Sequence, residues 1–153
     1  MDIKKWNKDN AKTNIEAYCA YQERCHSEVR SKLLNHGIYG DFLEELISSL
    51  IENNFLNEER FALLYAGGKF RIKRWGTIKI KQVLKLKGVS NYSIQQALSS
   101  FEDTDYLDAI QYWVDKRGGG KIKRTYPEKM DLVRFIQSKG FEIDKIFEVL
   151  GEG

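Results

Sequence analysis

Between residues 61 and 101 the chain has no Asp or Glu and eight basic residues: Lys69, Arg71, Lys73, Arg74, Lys79, Lys81, Lys85 and Lys87. Ammonium and guanidinium groups at this density attract phosphates or an acidic protein surface. Phe70, Trp75 and Tyr92 interleave with them. Such rings can stack on bases, although Phe70 and Trp75 read first as core. A second, shorter cluster, Lys121, Lys123 and Arg124, follows Gly118-Gly119-Gly120. Acidic stretches flank the main block: residues 41–60 hold six acids and one base, Arg60, and residues 102–115 hold five acids and no base. The net charge of +3 is therefore the remainder of a large cancellation. Two readings stay open. The block is a binding face for a polyanion, or its helices fold against their acidic neighbours and neutralise them.

No comparable constellation points to catalysis or metal binding. Gly68-Lys69 and Gly120-Lys121 lack the upstream glycine and the following Ser or Thr of a P-loop. Cys25 and His26 are adjacent in sequence, whereas a Cys–His dyad is a matter of spatial geometry. Cys19, Cys25, His26 and His36 match no zinc spacing. If Cys19 and Cys25 lie on one helix, their axial separation is about 9 Å, beyond disulfide reach. They read as structural thiols in a reducing cytosol. Glu44-Glu45 and Glu58-Glu59 diverge as neighbours on a helix and suit a solvated face. We expect no enzyme activity, cofactor or metal.

The elements that must position the basic residues emerge from an internal repeat. Gly37, Gly88 and Gly140 are 51 and 52 residues apart and share their surroundings. Eight residues before them stand Val29, Ile80 and Leu132; four before, Leu33, Leu84 and Ile136; one after, Ile38, Val89 and Phe141. Further on come Leu43, Ile94 and Ile146, then Leu46, Ala97 and Val149, then Ile47, Leu98 and Leu150. The positions before each glycine form one helical face. The glycine ends that helix in a left-handed conformation, and a second helix follows. Helix-like stretches at about 14–24, 57–75 and 105–116 precede each pair. The unit is a three-helix module, used three times.

Local signals fit this scheme. Ser27 is a candidate N-cap, Asp41-x-x-Glu44 a candidate capping box, and Asn57 a helix start. Pro127 suits a first helical turn. Thr77-Ile78-Lys79-Ile80-Lys81 alternates like a strand, but the repeat assigns it to a helix. Gly67-Gly68 should weaken or kink its helix, and the glycine triplet reads as a flexible loop. The expected fold is all-α: a tail over 1–13, then three-helix repeats over 14–53, 54–101 and 102–153, in a curved, elongated array. No apolar run suffices for a membrane span. The start, Met1-Asp2-Ile3-Lys4-Lys5-Trp6, lacks a secretory h-region, so a cytoplasmic monomer is expected.

Three stretches resemble the bacterial regulatory protein RecX family, the modulators of the RecA recombinase. Arg24 to Leu33 is similar to the family's Arg-Ser-x-x-Glu-Leu-Arg-x-Lys-Leu signature, with Cys25 and His26 inserted before Ser27. Leu56-Asn57-Glu58-Glu59-Arg60-Phe61-Ala62 resembles its Leu-Asp-Asp-x-x-Phe-Ala run, with Asn57 and Glu58 where two aspartates are usual. Trp75-Gly76-x-x-Lys79-Ile80-x-x-x-Leu84-x-x-Lys87-Gly88-Val89 resembles the segment that follows. The match runs over about residues 14–150. It implies tandem three-helix repeats. It also implies binding in the groove of RecA–single-stranded-DNA filaments, limited filament growth or disassembly, and inhibited strand exchange and ATP hydrolysis. No catalytic residues carry over. On this reading the concave side binds through Arg71, Lys73, Arg74, Lys79, Lys81, Lys85 and Lys87, with Lys121, Lys123 and Arg124 as a second patch. Single- or double-stranded DNA is a further expected ligand. A module acting directly on nucleic acid, or a helical adaptor for another acidic protein, are the alternatives.

Overall fold

A computed structural model describes residues 3–121 and 123–151. Nine α-helices and no strand are present among the described residues. They form three successive triplets: α1 (Ala11–Tyr21), α2 (His26–Asn35) and α3 (Gly40–Glu52); α4 (Glu58–Arg71), α5 (Thr77–Leu86) and α6 (Asn91–Leu98); α7 (Asp103–Gly118), α8 (Tyr126–Ser138) and α9 (Ile143–Leu150). No helix among the described residues is long and apolar enough to cross a membrane.

The same glycine organises each triplet. Gly37, Gly88 and Gly140 adopt φ of +83°, +82° and +99°, a region that costs a side-chain-bearing residue about 1–2 kcal/mol. The chain then folds back on the helix it has left. Ile38 N donates to Leu33 O at 2.9 Å, and Val89 N donates to Leu84 O at 3.1 Å, satisfying carbonyls at the helix end. Of the eighteen aligned apolar positions, fifteen are buried, and Leu98, Val149 and Leu150 are partly buried. The alternating stretch at Thr77 begins α5: Ile80 and Leu84 are fully buried while Ile78 is 45% exposed, as a helical stripe requires.

Several local expectations are corrected. Residues 11–13 belong to α1, and Ala11 is fully buried. Ahead of it Trp6 stacks on His36 at 3.9 Å and donates its backbone N–H to His36 O. An aromatic ring docked on the glycine turn thus replaces a tail. Cys19 and Cys25 share no helix. α1 ends at Tyr21 because Arg24 lies 3.8 Å over the Tyr18 ring and donates Nε–H to Tyr18 O. Cys25, not Ser27, caps α2, and Glu28 accepts from the Cys25 N–H. Gly40 opens α3 ahead of Asp41, and Glu44 pairs with Arg30 instead of capping. Helix α4 continues through Gly67-Gly68, where the Arg71 guanidinium folds over Gly67. The first glycine of the triplet belongs to α7, and Gly119 ends that helix at φ +62°. Asn57 and Pro127 occupy their expected helix starts, with the Asn57 side chain accepting from Arg60 N.

The three modules are not equivalent in packing. Repeat 1 has its own apolar core, from Ala11 to Leu56. Repeats 2 and 3 share one core, which Cys25 also enters. An aromatic column crosses the second joint: Phe70 stacks on Phe101 at 4.3 Å and on Tyr106 at 5.8 Å, and Tyr106 meets Phe141 at 5.1 Å. Each buried ring of this kind stabilises by roughly 1.5–3 kcal/mol. Backbones also touch there. Gly76 N donates to Lys139 O at 2.8 Å and Ile78 N to Gly140 O at 3.0 Å. A Cβ on Gly76 would lie 2.2 Å from Gly140 O. The Tyr106 hydroxyl donates to Glu142 and accepts from Thr77 N. The first joint is more polar: Arg60 pairs with Glu23 at 2.5 Å, and Ser27 Oγ donates to Lys87 O at 2.8 Å.

Candidate interaction surface

The eight bases of the middle repeat do not form one face. A helix advances 100° per residue, so Lys79 and Lys81 on α5 point about 160° apart. Lys79 and Lys87 lie on one flank, beside Trp75 and Tyr65. Lys81 and Lys85 lie on the other and are exposed. Lys81 lines a shallow cleft with Thr77, Ile78, Gln95, Leu98 and Ser99. Lys73 is exposed in the turn between α4 and α5.

Arg71 and Arg74 face elsewhere. They line a cleft of about 410 Å³ with Phe70, Phe101, Tyr112 and the carboxylates of Glu102, Asp105 and Asp108. Arg74 lies 3.8 Å over the Tyr112 ring. Its φ of +52° is left-handed, and its carbonyl accepts the Trp113 indole N–H at 2.8 Å. The acidic α7 thus neutralises two of the eight bases at long range, though no ion pair forms with them among the described residues. Arg71 and Arg74 sit as the neutralisation reading expects, and the other six bases lie outside this cleft.

Seven described lysines are half-buried rather than exposed, Lys32, Lys69, Lys79, Lys87, Lys129, Lys139 and Lys145, and four of them, Lys69, Lys79, Lys87 and Lys139, gather around Tyr65, Trp75 and Trp113. Each of these four rests on aromatic rings. Lys69 lies 5.3 Å from the Tyr65 ring and 5.0 Å from Trp75, Lys79 4.5 Å from Trp75, and Lys87 5.6 Å from Tyr65. Lys139 lies 4.7 Å from Trp113 and 5.3 Å from Phe135. Such contacts hold the aliphatic stem while the ammonium stays at the surface. Lys139 was absent from the sequence-based candidates, although a signal for it exists. The residue before each repeat glycine is His36, Lys87 or Lys139, and each packs on an aromatic ring.

The second patch is partly spent on internal pairs. Lys121 Nζ donates to Glu128 at 2.5 Å, and that contact holds the Glu128 carboxyl below the usual range. The Arg124 guanidinium packs against Gly118, where a Cβ would lie 2.6 Å away. Lys123 is exposed. The two thiols are free and buried. Burial pushes both upward in pKa, Cys19 to about 11.

A model of the second three-helix domain of RecX matches residues 57–98, the stretch that holds most of the acid-free block. Regulatory protein RecX of Lactobacillus johnsonii is 31% identical over 145 residues, 92% of this chain and 54% of its own length. Regulatory protein RecX of Clostridium perfringens is 32% identical over 124 residues, 79% of this chain and 58% of its own. The chain spans about half the length of the curated relatives it matches. The crystal structure of RecX from Lactobacillus salivarius superposes with a TM-score of 0.79, covering 93% of this chain and 95% of that one at 23% identity. That likeness is one of fold.

Proposed function

This chain belongs to the RecX family of regulatory proteins, and on that premise we propose that it binds RecA and its single-stranded-DNA filament in the cytoplasm as a monomer, without catalysing a reaction, and restrains filament growth, strand exchange and ATP hydrolysis. The observation that carries the reading is the acid-free block of the middle repeat, residues 61–101, which lies almost wholly within the residues matched by the RecX domain. A nucleoprotein filament offers phosphates and carboxylates together, and the six bases of this module that lie outside the acidic α7 cleft complement both. The proposed contacts are Arg71, Lys73, Arg74, Lys79, Lys81, Lys85 and Lys87, with Lys121, Lys123 and Arg124 as an accessory patch. The exposed pair Lys81 and Lys85 is best placed to meet protein, because it carries no internal partner among the described residues.

The test is RecA ATPase on single-stranded DNA with substoichiometric amounts of this protein. Inhibition is expected, weakened by the double charge reversal Lys81→Glu, Lys85→Glu. Unchanged ATPase with the parent chain refutes the filament reading. Undiminished inhibition by a folded double variant refutes the proposed contact.

A further inference from the structure

The cluster of four ring-seated lysines, Lys69, Lys79, Lys87 and Lys139, continues across the second joint. Trp75 and Gly76 abut Lys139 and Gly140 through the Gly76 N–H to Lys139 O bond, so the ring-and-ammonium row of repeat 2 runs directly into that of repeat 3. Along it, Lys87, Tyr65, Lys69, Trp75 and Lys79 alternate cation and ring, and Lys139 resumes the pattern on Trp113 and Phe135. Arg117, 4.4 Å over the Phe135 ring but paired with Asp131 at 3.5 Å, marks its end near the C-terminus of α7. None of the four lysines has a carboxylate partner among the described residues.

We propose that this row is a preorganised track for the phosphodiester backbone of a single nucleic-acid strand, distinct from the Lys81–Lys85 flank. The proposal deepens the filament reading, on which it rests for the presence of a strand. The rings already carry ammonium groups, so they act as struts that fix the cations and not as platforms for bases. An ordinary surface lysine loses its rotamer freedom on binding, whereas a strutted one has lost it beforehand and binds more tightly for the same charge. The line of cations is continuous over two modules, which suits a linear polyanion better than the scattered carboxylates of a globular surface.

The experiment is fluorescence anisotropy of a labelled oligothymidylate titrated with the full chain over a range of salt. Lys79→Gln and Lys139→Gln should each weaken binding about fivefold and flatten the log–log salt slope by about 0.7. Trp75→Leu removes no charge, yet should weaken binding about fivefold with the slope retained, as the strut's contribution is lost. Lys12→Gln, the same charge change on exposed α1, should bind as the parent does. Equal losses for Lys12→Gln and Lys139→Gln, or capture of polyglutamate but not oligothymidylate, overturn the proposal. So does undiminished binding by a normally melting Trp75→Leu chain; if that variant melts early, the two lysine variants decide. Inhibition of RecA without track-dependent oligonucleotide binding sinks this inference alone. Track-dependent binding without any effect on RecA sinks the filament reading alone.

Discussion

Substituting alanine at the three repeat glycines should give three different costs from one kind of residue. All three have positive φ, so each alanine incurs about 1–2 kcal/mol of backbone strain. At Gly88 a Cβ meets nothing within 4 Å, and at Gly37 it meets only Lys5 Cγ and Cδ, at 3.6 and 3.7 Å; strain is the whole effect there. At Gly140 the Cβ would lie 2.4 Å from Lys79 Cβ and 2.7 Å from Lys79 N. The joint must open, which endangers the bonds from Gly76 N to Lys139 O and from Ile78 N to Gly140 O. At about 1 kcal/mol each, Gly140→Ala should cost about 3–4 kcal/mol in all. Gly76→Ala separates the terms. Its φ of −82° carries no strain, so only the clash remains, about 2 kcal/mol. The assay is urea unfolding followed by tryptophan emission in a Trp6→Phe background, leaving Trp75 and Trp113, both near the joint, as probes. With a slope of about 1.5 kcal/mol/M, the midpoint should fall by about 2 M for Gly140→Ala and by about 1 M for Gly88→Ala. Equal midpoints for the two variants would refute the close-packed joint, as would a neutral Gly76→Ala.

Other outcomes follow from single groups. Tyr106→Phe leaves Thr77 N and Glu142 short of a partner and should destabilise the fold by about 1–3 kcal/mol in a thermal melt. Burial raises the Tyr106 phenol, and its bond to Glu142 raises it further. Its contribution is therefore present below the ordinary phenol pKa and lost as pH rises through the folded value; ultraviolet titration should show a late-ionising phenol that Tyr106→Phe lacks. Burial acts to raise Glu58, but hydrogen bonds from Ser90 and Ser93 outweigh it and hold the carboxyl below its usual range. Its stabilisation is present above the ordinary carboxylate pKa and disappears as pH falls through the folded value, so the stability gap between the parent and Glu58→Gln should close below about pH 4. Both thiols should resist a disulfide reagent in mildly alkaline buffer and react promptly in concentrated guanidinium, since they are buried with raised pKa.

The repeat was legible because its determinants are local. A glycine and the apolar residues within ten positions of it settle a helix end, a turn and the next helix without reference to the rest of the chain. Features set by distant partners stayed hidden. Nothing near Gly76 reveals that it must admit the backbone at Gly140. The end of α1 depends on Arg24 reaching back to Tyr18, in a stretch with no Gly or Pro to announce it. The basic block was visible as composition but not as geometry. Helical angles alone separate Lys79 and Lys87 from Lys81 and Lys85. The seating of Arg71 and Arg74 in the acidic α7 cleft, and the lysines seated on rings, require the packed structure.

The second joint also bears on the order of folding. Each three-helix unit closes through neighbours in sequence, which favours rapid assembly. The seam between Gly76 and Gly140 must wait until α5 and the turn after α8 have both formed, since it joins backbone groups more than sixty residues apart. Interactions made late in folding chiefly govern how fast the native state is lost. The seam is thus a kinetic lock: loosening it should shorten the lifetime of the folded pair of repeats while leaving the rate of their formation nearly untouched.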